Sequence, residues 1–505
     1  LGKFTTFSNP SLDGGNVAFR GLGLAQNGIY VAFQEHHWDS GTSGLWDDAV
    51  NWRFGVFPRQ VVPSFINPDN GVIITGPSSP VQLRSLTIGS TNSGIAELRT
   101  QPTGQITIDD LSDPEDGHET LLVEAAGKLT VDGVVNVLGG TTTNFGEIVL
   151  VTGAQLSGSA GALSFGLIND GVIRGNGTID NALVNNAGGE VRVSTGQRLL
   201  FSGLYNWNVG TIEVIGGEVE FTGPTLNFPL SGLITGSDAT LRFDDGLNNG
   251  GSLALSFGTS HVFGDVTNSA TGVMAVAGNS QVTFYDDVAN GGVLNVATGS
   301  TVVFFGSLTG SGNIGGGDVQ AMGDLVPGAS PGVMDFGGNL SLGPLSTTQI
   351  ELAGSTPGTG HDQVAVAGGL SLGGELDLVH LAPYTDPAAR GTADTFVIID
   401  ASVRNGNFST VQYNGSALAA DFGPDGNGSF RSHQGSGMFR NITYTSTTVE
   451  LQNLLALEGD VDGDKDVDIT DFNSLASNFD PDGATAPHSW LEGNFDGDND
   501  IDITD

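Results

Sequence analysis

The sequence predicts an all-β chain built mainly as a β-solenoid, on three observations. Glycine supplies 79 of 505 residues, roughly twice its usual ~7% share, without the Gly-X-Y period of a collagen. Aromatic residues recur in matched segments (LFSGLYN, EFTGPTLN, RFDDGLN, VFGDVTN, YDDVAN, FFGSLTG) at Phe201, Phe221, Phe243, Phe263, Tyr285 and Phe305, spaced 20, 22, 20, 22 and 20 apart. Between them run alternating segments such as GTIEV, GSLAL and GVLNV, the period-2 pattern of strands with one buried face. A coil of 20–22 residues cannot bury its own apolar face and must stack on the next, which is the logic of a solenoid. No useful helical periodicity precedes residue 458.

Within each coil the aromatic is expected to point inward. An Asn follows five or six residues later at Asn206, Asn227, Asn248, Asn268 and Asn290, with Gly close behind. Inward Asn side chains can hydrogen-bond to equivalents about 4.8 Å above and below. Asn-Gly pairs can supply corners with positive φ.

In chain order, residues 1–36 (NPSLDGGNVAFRG, GIYVAF) read as a lone β-repeat unit and assembly segment, expected to pack on the solenoid or on a neighbouring molecule. Residues 37–100 form a Trp-rich cap and first strands, with Trp38, Trp46 and Trp52 expected to cover the first coil's open apolar end. Residues 101–322 carry the 20–22-residue rungs, interrupted by the acidic segment Asp109 to Glu119, which reads as a solvated insertion. Residues 323–452 remain β, and residues 458–505 form a separate acidic module. Fifteen acidic residues and one Lys in those last 48 give −14 of the chain's −40.

Two segments in the β region are distinctive: a PGxSPG turn at Pro327 to Gly332 and a D-x-V-x-V-x-G strand at Asp362 to Gly368. With the Gly-punctuated strands around them, residues 100 to 415 resemble the C-terminal part of autotransporter-type β-helical passenger proteins. That resemblance implies a right-handed parallel β-helix outside a cell. No membrane barrel follows, so self-translocation is not expected. The WDSGTSGLWDDAVNW segment resembles the stretch that precedes such repeats in large secreted bacterial proteins. The chain opens at Leu1 without Met or a signal segment, as expected of a processed secreted chain or a fragment.

Composition excludes several functions. With no Cys there is no disulfide, thiolate metal site or cysteine nucleophile. Phosphate neutralisation needs clustered cations, and the three lysines Lys3, Lys128 and Lys465 are scattered in a chain of net charge −40, so neither nucleic acid nor an anionic membrane is an expected partner. No apolar stretch reaches the ~18 residues of a membrane span. The eight His form no metal-ligand spacing, and no G-x-S-x-G occurs. Pectin-degrading β-helices combine an NTD segment, a DD pair and a GHG, of which only DD pairs occur here, so no catalytic residue is expected.

The sharpest motif is terminal. DVDGDKDVDITD places Asp460, Asp462, Asp464, Asp466 (through its carbonyl), Asp468 and Asp471 at positions 1, 3, 5, 7, 9 and 12 of a calcium loop, and NFDGDNDIDITD repeats this with Asn494, Asp496, Asp498, Asp500, Asp502 and Asp505. Oxygen donors at this spacing wrap Ca²⁺. The two loops, 34 residues apart and closed by Asp rather than Glu, resemble a dockerin type I module, an EF-hand-like fold. The resemblance implies a helix after the first loop (FNSLASNF) and a short β-bridge between Val467 and Ile501 at position 8. Lys465 and Asn499 stand at position 6, where calcium loops carry Gly. The second loop reaches its closing ligand at Asp505, and because dockerins bind cohesin through both helices, a cohesin partner is not expected from these residues alone.

A further set, Asp245, Asp265 and Asp287 with Asp244 and Asp286 beside them, recurs at rung spacing. It is expected as a hydrated turn, with a bridging Ca²⁺ as the competing reading. Together these features predict a secreted, calcium-binding structural protein of a bacterial cell surface. It is expected to assemble with itself as a filament, surface layer or appendage, or to bind another surface protein. A carbohydrate-binding adhesin, with polysaccharide as partner, and a dockerin-bearing component of a polysaccharide-degrading complex are the alternatives.

Overall fold

The computed structural model describes residues 35–58, 62–90, 93–109, 119–138, 140–158, 166–328, 330–485, 487–498, 500–502 and 505, together with the backbone of four strands before residue 35. The chain divides into two compact units, Leu1–Ala254 and Leu255–Asp505. Most of the acidic segment between Asp109 and Glu119 lies outside the described residues, as do Lys3 and Asn499. Among the described residues no helix is long and apolar enough to cross a membrane.

In the first unit, the backbone of Asn16–Leu22 pairs antiparallel with Thr6–Phe7, Ser11–Asp13 and Asn27–Ala32. The side chains of this segment, and hence its expected packing, lie outside the described residues. The described strands that follow in this unit pair in parallel. One column of three- and four-residue strands includes Thr141–Asn144, Leu167–Asn169, Leu183–Asn185, Asn206–Asn208, Thr225–Asn227 and Leu247–Asn249, each pairing with the next. A second column stacks Glu190–Val193, Thr211–Ile215 and Leu233–Ser237, and a third stacks Arg198–Phe201, Glu218–Phe221 and Thr240–Phe243. Each turn of chain contributes one strand to each column, so the unit is a parallel β-helix. Pairing is in register: Phe201 lies opposite Phe221 and Phe221 opposite Phe243. All three are fully buried, and their rings stack at 5.1 and 5.8 Å.

Trp38, Trp46 and Trp52 are buried against one another edge to face, and Trp52 Nε1 donates to the Trp46 carbonyl at 2.8 Å. Strands His36–His37 and Gly44–Leu45 pair with Pro63–Ile66 and Asn70–Thr75, so the aromatic cluster sits on the earliest coil. The outer face is laced by ion pairs between rungs, such as Lys128 with Glu97 and Glu147, and Arg242 with Glu218.

The second unit begins with three parallel columns of its own. Thr259–Phe263, Gln281–Phe284 and Thr301–Phe304 stack in register, as do Val273–Ala277 with Val293–Val296 and Val266–Asn268 with Val288–Asn290. It ends differently. The long strand Thr392–Asn405 is parallel to Gln363–Ser371 but antiparallel to Thr448–Leu455, which continues into Met438–Tyr444 and Phe430–His433. This antiparallel sheet covers the last parallel coil, the kind of cap a solenoid needs.

Three expectations about the rungs need correction. The aromatic ladder splits. In the second unit the buried residues are Val262, Phe284 and Phe304, whereas Phe263, Tyr285 and Phe305 face outward, with Tyr285 36% and Phe305 53% exposed. The two sets are neighbours in sequence, and a one-residue shift in a strand reverses the face. The outer rings stack on one another at 4.4 and 5.7 Å and nearly parallel.

The asparagine ladder is real but differently composed. In the first unit Asn144, Asn169, Asn185, Asn208 and Asn227 each donate from Nδ2 to Oδ1 of the next, as far as Asn249, at 2.7–2.8 Å, and Asn268 donates to Asn290 at 2.8 Å in the second. Asn206 is buried but donates to the Gly223 carbonyl instead, and Asn248 faces out beside the inward Asn249.

The glycines after these asparagines do not have positive φ. A Cβ at Gly232 would lie 2.3 Å from Asn227 Oδ1 and 2.5 Å from the Asn208 carbonyl, so the residue is excluded from having a side chain by close approach of the rung below. Positive φ falls at the next corner, at Gly216 and Gly278 for example.

The PGxSPG turn and the Asp362 strand are joined. The Asp362 carboxylate, fully buried, accepts from the Gly332 N–H at 2.6 Å and the Glu351 N–H at 2.9 Å. Burial pushes its carboxyl up to about 6, against the downward pull of those two donors.

Candidate metal centre

The acidic module begins where the cap sheet ends. Asp460 to Asp471 forms a loop leading into the helix Ile469–Asn478, the only α-helix among the described residues, as the FNSLASNF segment predicts. Asp468 caps that helix by accepting from the Thr470 N–H at 2.6 Å, and Asp471 answers from the third helical position.

The two loops share one hydrogen-bond plan. The position-1 side chains, Asp460 and Asn494, accept from the N–H at position 4, Gly463 and Gly497, both at 2.7 Å. Positions 3 and 5 accept from positions 5 and 7: Asp462 from Asp464, Asp464 from Asp466, Asp496 from Asp498, and Asp498 from Asp500. The closing residues Asp471 and Asp505 each accept from position 2 with one oxygen (Val461 at 2.8 Å, Phe495 at 2.7 Å) and from position 9 with the other. The chain thus wraps each acidic set around a centre, with backbone N–H groups directed at its carboxylate oxygens. Lys465, at position 6, has φ 83°, the left-handed turn that Gly normally supplies here.

Carboxylate oxygens converge to within 4.8 Å of one another in three sets: Asp460 with Asp462 and Asp464, Asp466 with Asp468 and Asp471, and Asp500 with Asp502 and Asp505. The first loop therefore gathers its six acidic residues as two triads rather than one cage, and the Asp466 side chain joins its triad although sequence spacing assigns only its carbonyl. The donor set is hard oxygen throughout, which suits Ca²⁺. Burial raises the Asp460 carboxyl, and burial together with Asp464, Asp471 and Asp460 pushes Asp462 up to about 6, with Arg431 pulling the other way. Exposed Asp466 is raised chiefly by its neighbour Asp464. These shifts record the crowding of negative charge that a divalent ion would relieve.

The expected bridge between Val467 and Ile501 is absent. Ile501 instead exchanges both backbone hydrogen bonds with Asp480, at 3.1 and 3.2 Å, and is fully buried, while Val467 is 55% exposed. The segment after the helix occupies the position a partner loop would take. Asp480 is held there by the Thr485 N–H at 2.7 Å and by His488 at 2.9 Å, which lower its carboxyl.

The module is not a separate globule. Val461, Trp490 and Phe495 share one core with Phe439, Leu454 and Ala456 of the cap sheet. Trp490 Nε1 donates to the Asp460 carbonyl at 2.9 Å, its ring packs on Phe495 at 4.9 Å, and the Arg390 guanidinium lies over it at 4.6 Å. Asn441 Nδ2 donates to the Gly463 carbonyl at 3.1 Å, and a Cβ on Gly463 would strike the Phe439 ring. Arg431 of the cap reaches Asp462 at 3.0 Å and Asp464 at 3.6 Å. No loop spacing points to these cap residues; the one available signal was Trp490, the single Trp of the module.

On the solenoid, the Asp265 carboxylate accepts from the Asp287 N–H at 3.2 Å, and Asp287 accepts from the Ser307 N–H at 2.8 Å. Each carboxylate ties its rung to the next, and all remain exposed. No protein-family model matches this chain, and no curated protein matches it in sequence.

Proposed function

We propose that this chain is a secreted, calcium-stabilised structural protein of the bacterial cell surface, with Ca²⁺ held by Asp460 to Asp471 and by Asn494 to Asp505. The observation that carries this reading is the repeated hydrogen-bond plan, in which two unlike loops fold the same positions around an all-oxygen centre. The in-register rungs of the parallel solenoid support a structural role. Its dockerin-like character and autotransporter-like, right-handed winding belong to this proposal. The partner is a second copy of the chain or another surface protein.

The module favours a protein partner by one specific feature. Val467, Ile469, Phe472 and Phe479, on and beside the helix Ile469–Asn478, are 50–66% exposed, an apolar surface on an otherwise acidic module. The polysaccharide reading rests on the outer stack Phe263, Tyr285 and Phe305. Those rings cover one another's faces and present edges, whereas sugar stacking uses faces, so the stack serves rung-to-rung cohesion.

The proposal is tested by light scattering and electron microscopy of the purified chain with millimolar calcium and with chelator, alongside thermal unfolding. A higher unfolding temperature and calcium-dependent association are expected. A monomer with the same unfolding curve in both conditions contradicts the reading.

A further inference from the structure

Besides its own Lys465, the first loop has a cation from outside held against it. Arg431, on the cap strand Phe430–His433, places its guanidinium against Asp462 and Asp464, two of the carboxylates that would ligate calcium. We propose that Arg431 is the loop's built-in counter-cation and that calcium displaces it, so that calcium occupancy loosens one charged tie between the module and the solenoid cap. This rests on the calcium reading of the loop.

The geometry favours competition over bracing. A residue that helps a metal ligand from outside fixes its orientation without opposing the ion's charge. Arg431 is permanently cationic and touches two ligand carboxylates directly. Even at the dielectric of water, a guanidinium about 6 Å from a divalent ion weakens binding roughly tenfold at low ionic strength. Crowding among Asp460, Asp462, Asp464 and Asp471 gives the unloaded loop a reason to hold the arginine.

Arg431 also has somewhere to go. It lines a cleft of about 410 Å³ together with Phe422, Asp425, Asn441, Glu450 and Asp464. Asp425 and Glu450 offer other carboxylates, and Arg431 lies 5.7 Å from the Phe422 ring. In the same cleft the Asn441 Oδ1, on a side chain more than nine-tenths buried, has no hydrogen-bond partner, an open acceptor for a relocated guanidinium. Two other ties, Trp490 to the Asp460 carbonyl and Asn441 to the Gly463 carbonyl, are neutral, and the Arg390–Glu458 ion pair at 3.3 Å lies outside the loop's ligand positions.

The test uses the full chain with Asp496→Asn and Asp498→Asn, so that calcium isotherms report the first loop alone. Arg431→Gln is expected to tighten calcium binding roughly tenfold, and Arg431→Lys, which keeps the charge, to stay near the parent. In the parent, hydrogen exchange of Phe430–His433 is expected to rise on calcium addition. Unchanged or weaker binding by Arg431→Gln, with Arg431→Lys intact, makes the arginine a brace and overturns the inference while leaving the calcium reading standing. No calcium bound by any of the three overturns both.

Discussion

Asn208 shows how a single side chain holds the rungs. Its Nδ2 donates to Asn227 and to the Leu233 carbonyl, and its Oδ1 accepts from Asn185. Asn208→Ala leaves a buried donor and a buried acceptor unpaired, and about 2–4 kcal/mol should be lost in urea denaturation. The ladder ends where the sequence stops supplying Asn: Asn290 Nδ2 has no partner, and the next strand places Gly310 beyond it. That some Asn would stack was legible from Asn-Gly recurrence. Which one was not, because Asn206 and Asn208, or Asn248 and Asn249, differ only in the register of a three-residue strand. Asp362 gives a pH signature. Its raised folded value means it contributes stability that is present below the unfolded value of 3.8 and is lost as pH rises through about 6. The stability advantage of the parent over Asp362→Asn should therefore shrink by about 3 kcal/mol between about pH 3.5 and pH 7.5. A difference independent of pH contradicts the buried carboxyl.

At the scale of the strand, alternation and a rung period near 20 residues were enough to specify a parallel solenoid. They could not choose between adjacent aromatics. Phe304 and Phe305 are both large, both apolar and one residue apart, yet Phe304 is fully buried and Phe305 is 53% exposed. Phe304→Ala should cost about 3–5 kcal/mol, whereas Phe305→Ala, losing one outer stacking contact, should cost about 0.5–1.5 kcal/mol. Equal costs would place both rings in the core. The cap sheet was legible as β but not as antiparallel, because pairing direction here depends on the long strand Thr392–Asn405 meeting Thr448–Leu455, two segments far apart in sequence. The position-8 bridge failed for a comparable reason: the segment around Asp480, with no loop signature, supplies the strand partner that Ile501 takes.

For the molecule as a whole, the net charge of −40 divides into ordinary outer-face acidity, a few carboxylates of it paired between rungs, and a module whose carboxylates face one another. Loop spacing in the sequence located the two acidic loops and the helix after the first, but it could not reveal that the module shares a core with the cap through Phe439, Trp490 and Phe495. Because of that shared core, calcium should stabilise the second unit and not the module alone. At a free concentration one hundred times the dissociation constant, a single site adds about 2.7 kcal/mol. The most direct measurement is calorimetric titration of the intact chain with calcium. Two sites are expected, falling to one on combining Asp462→Asn with Asp464→Asn, while absence of binding at millimolar calcium would contradict the account.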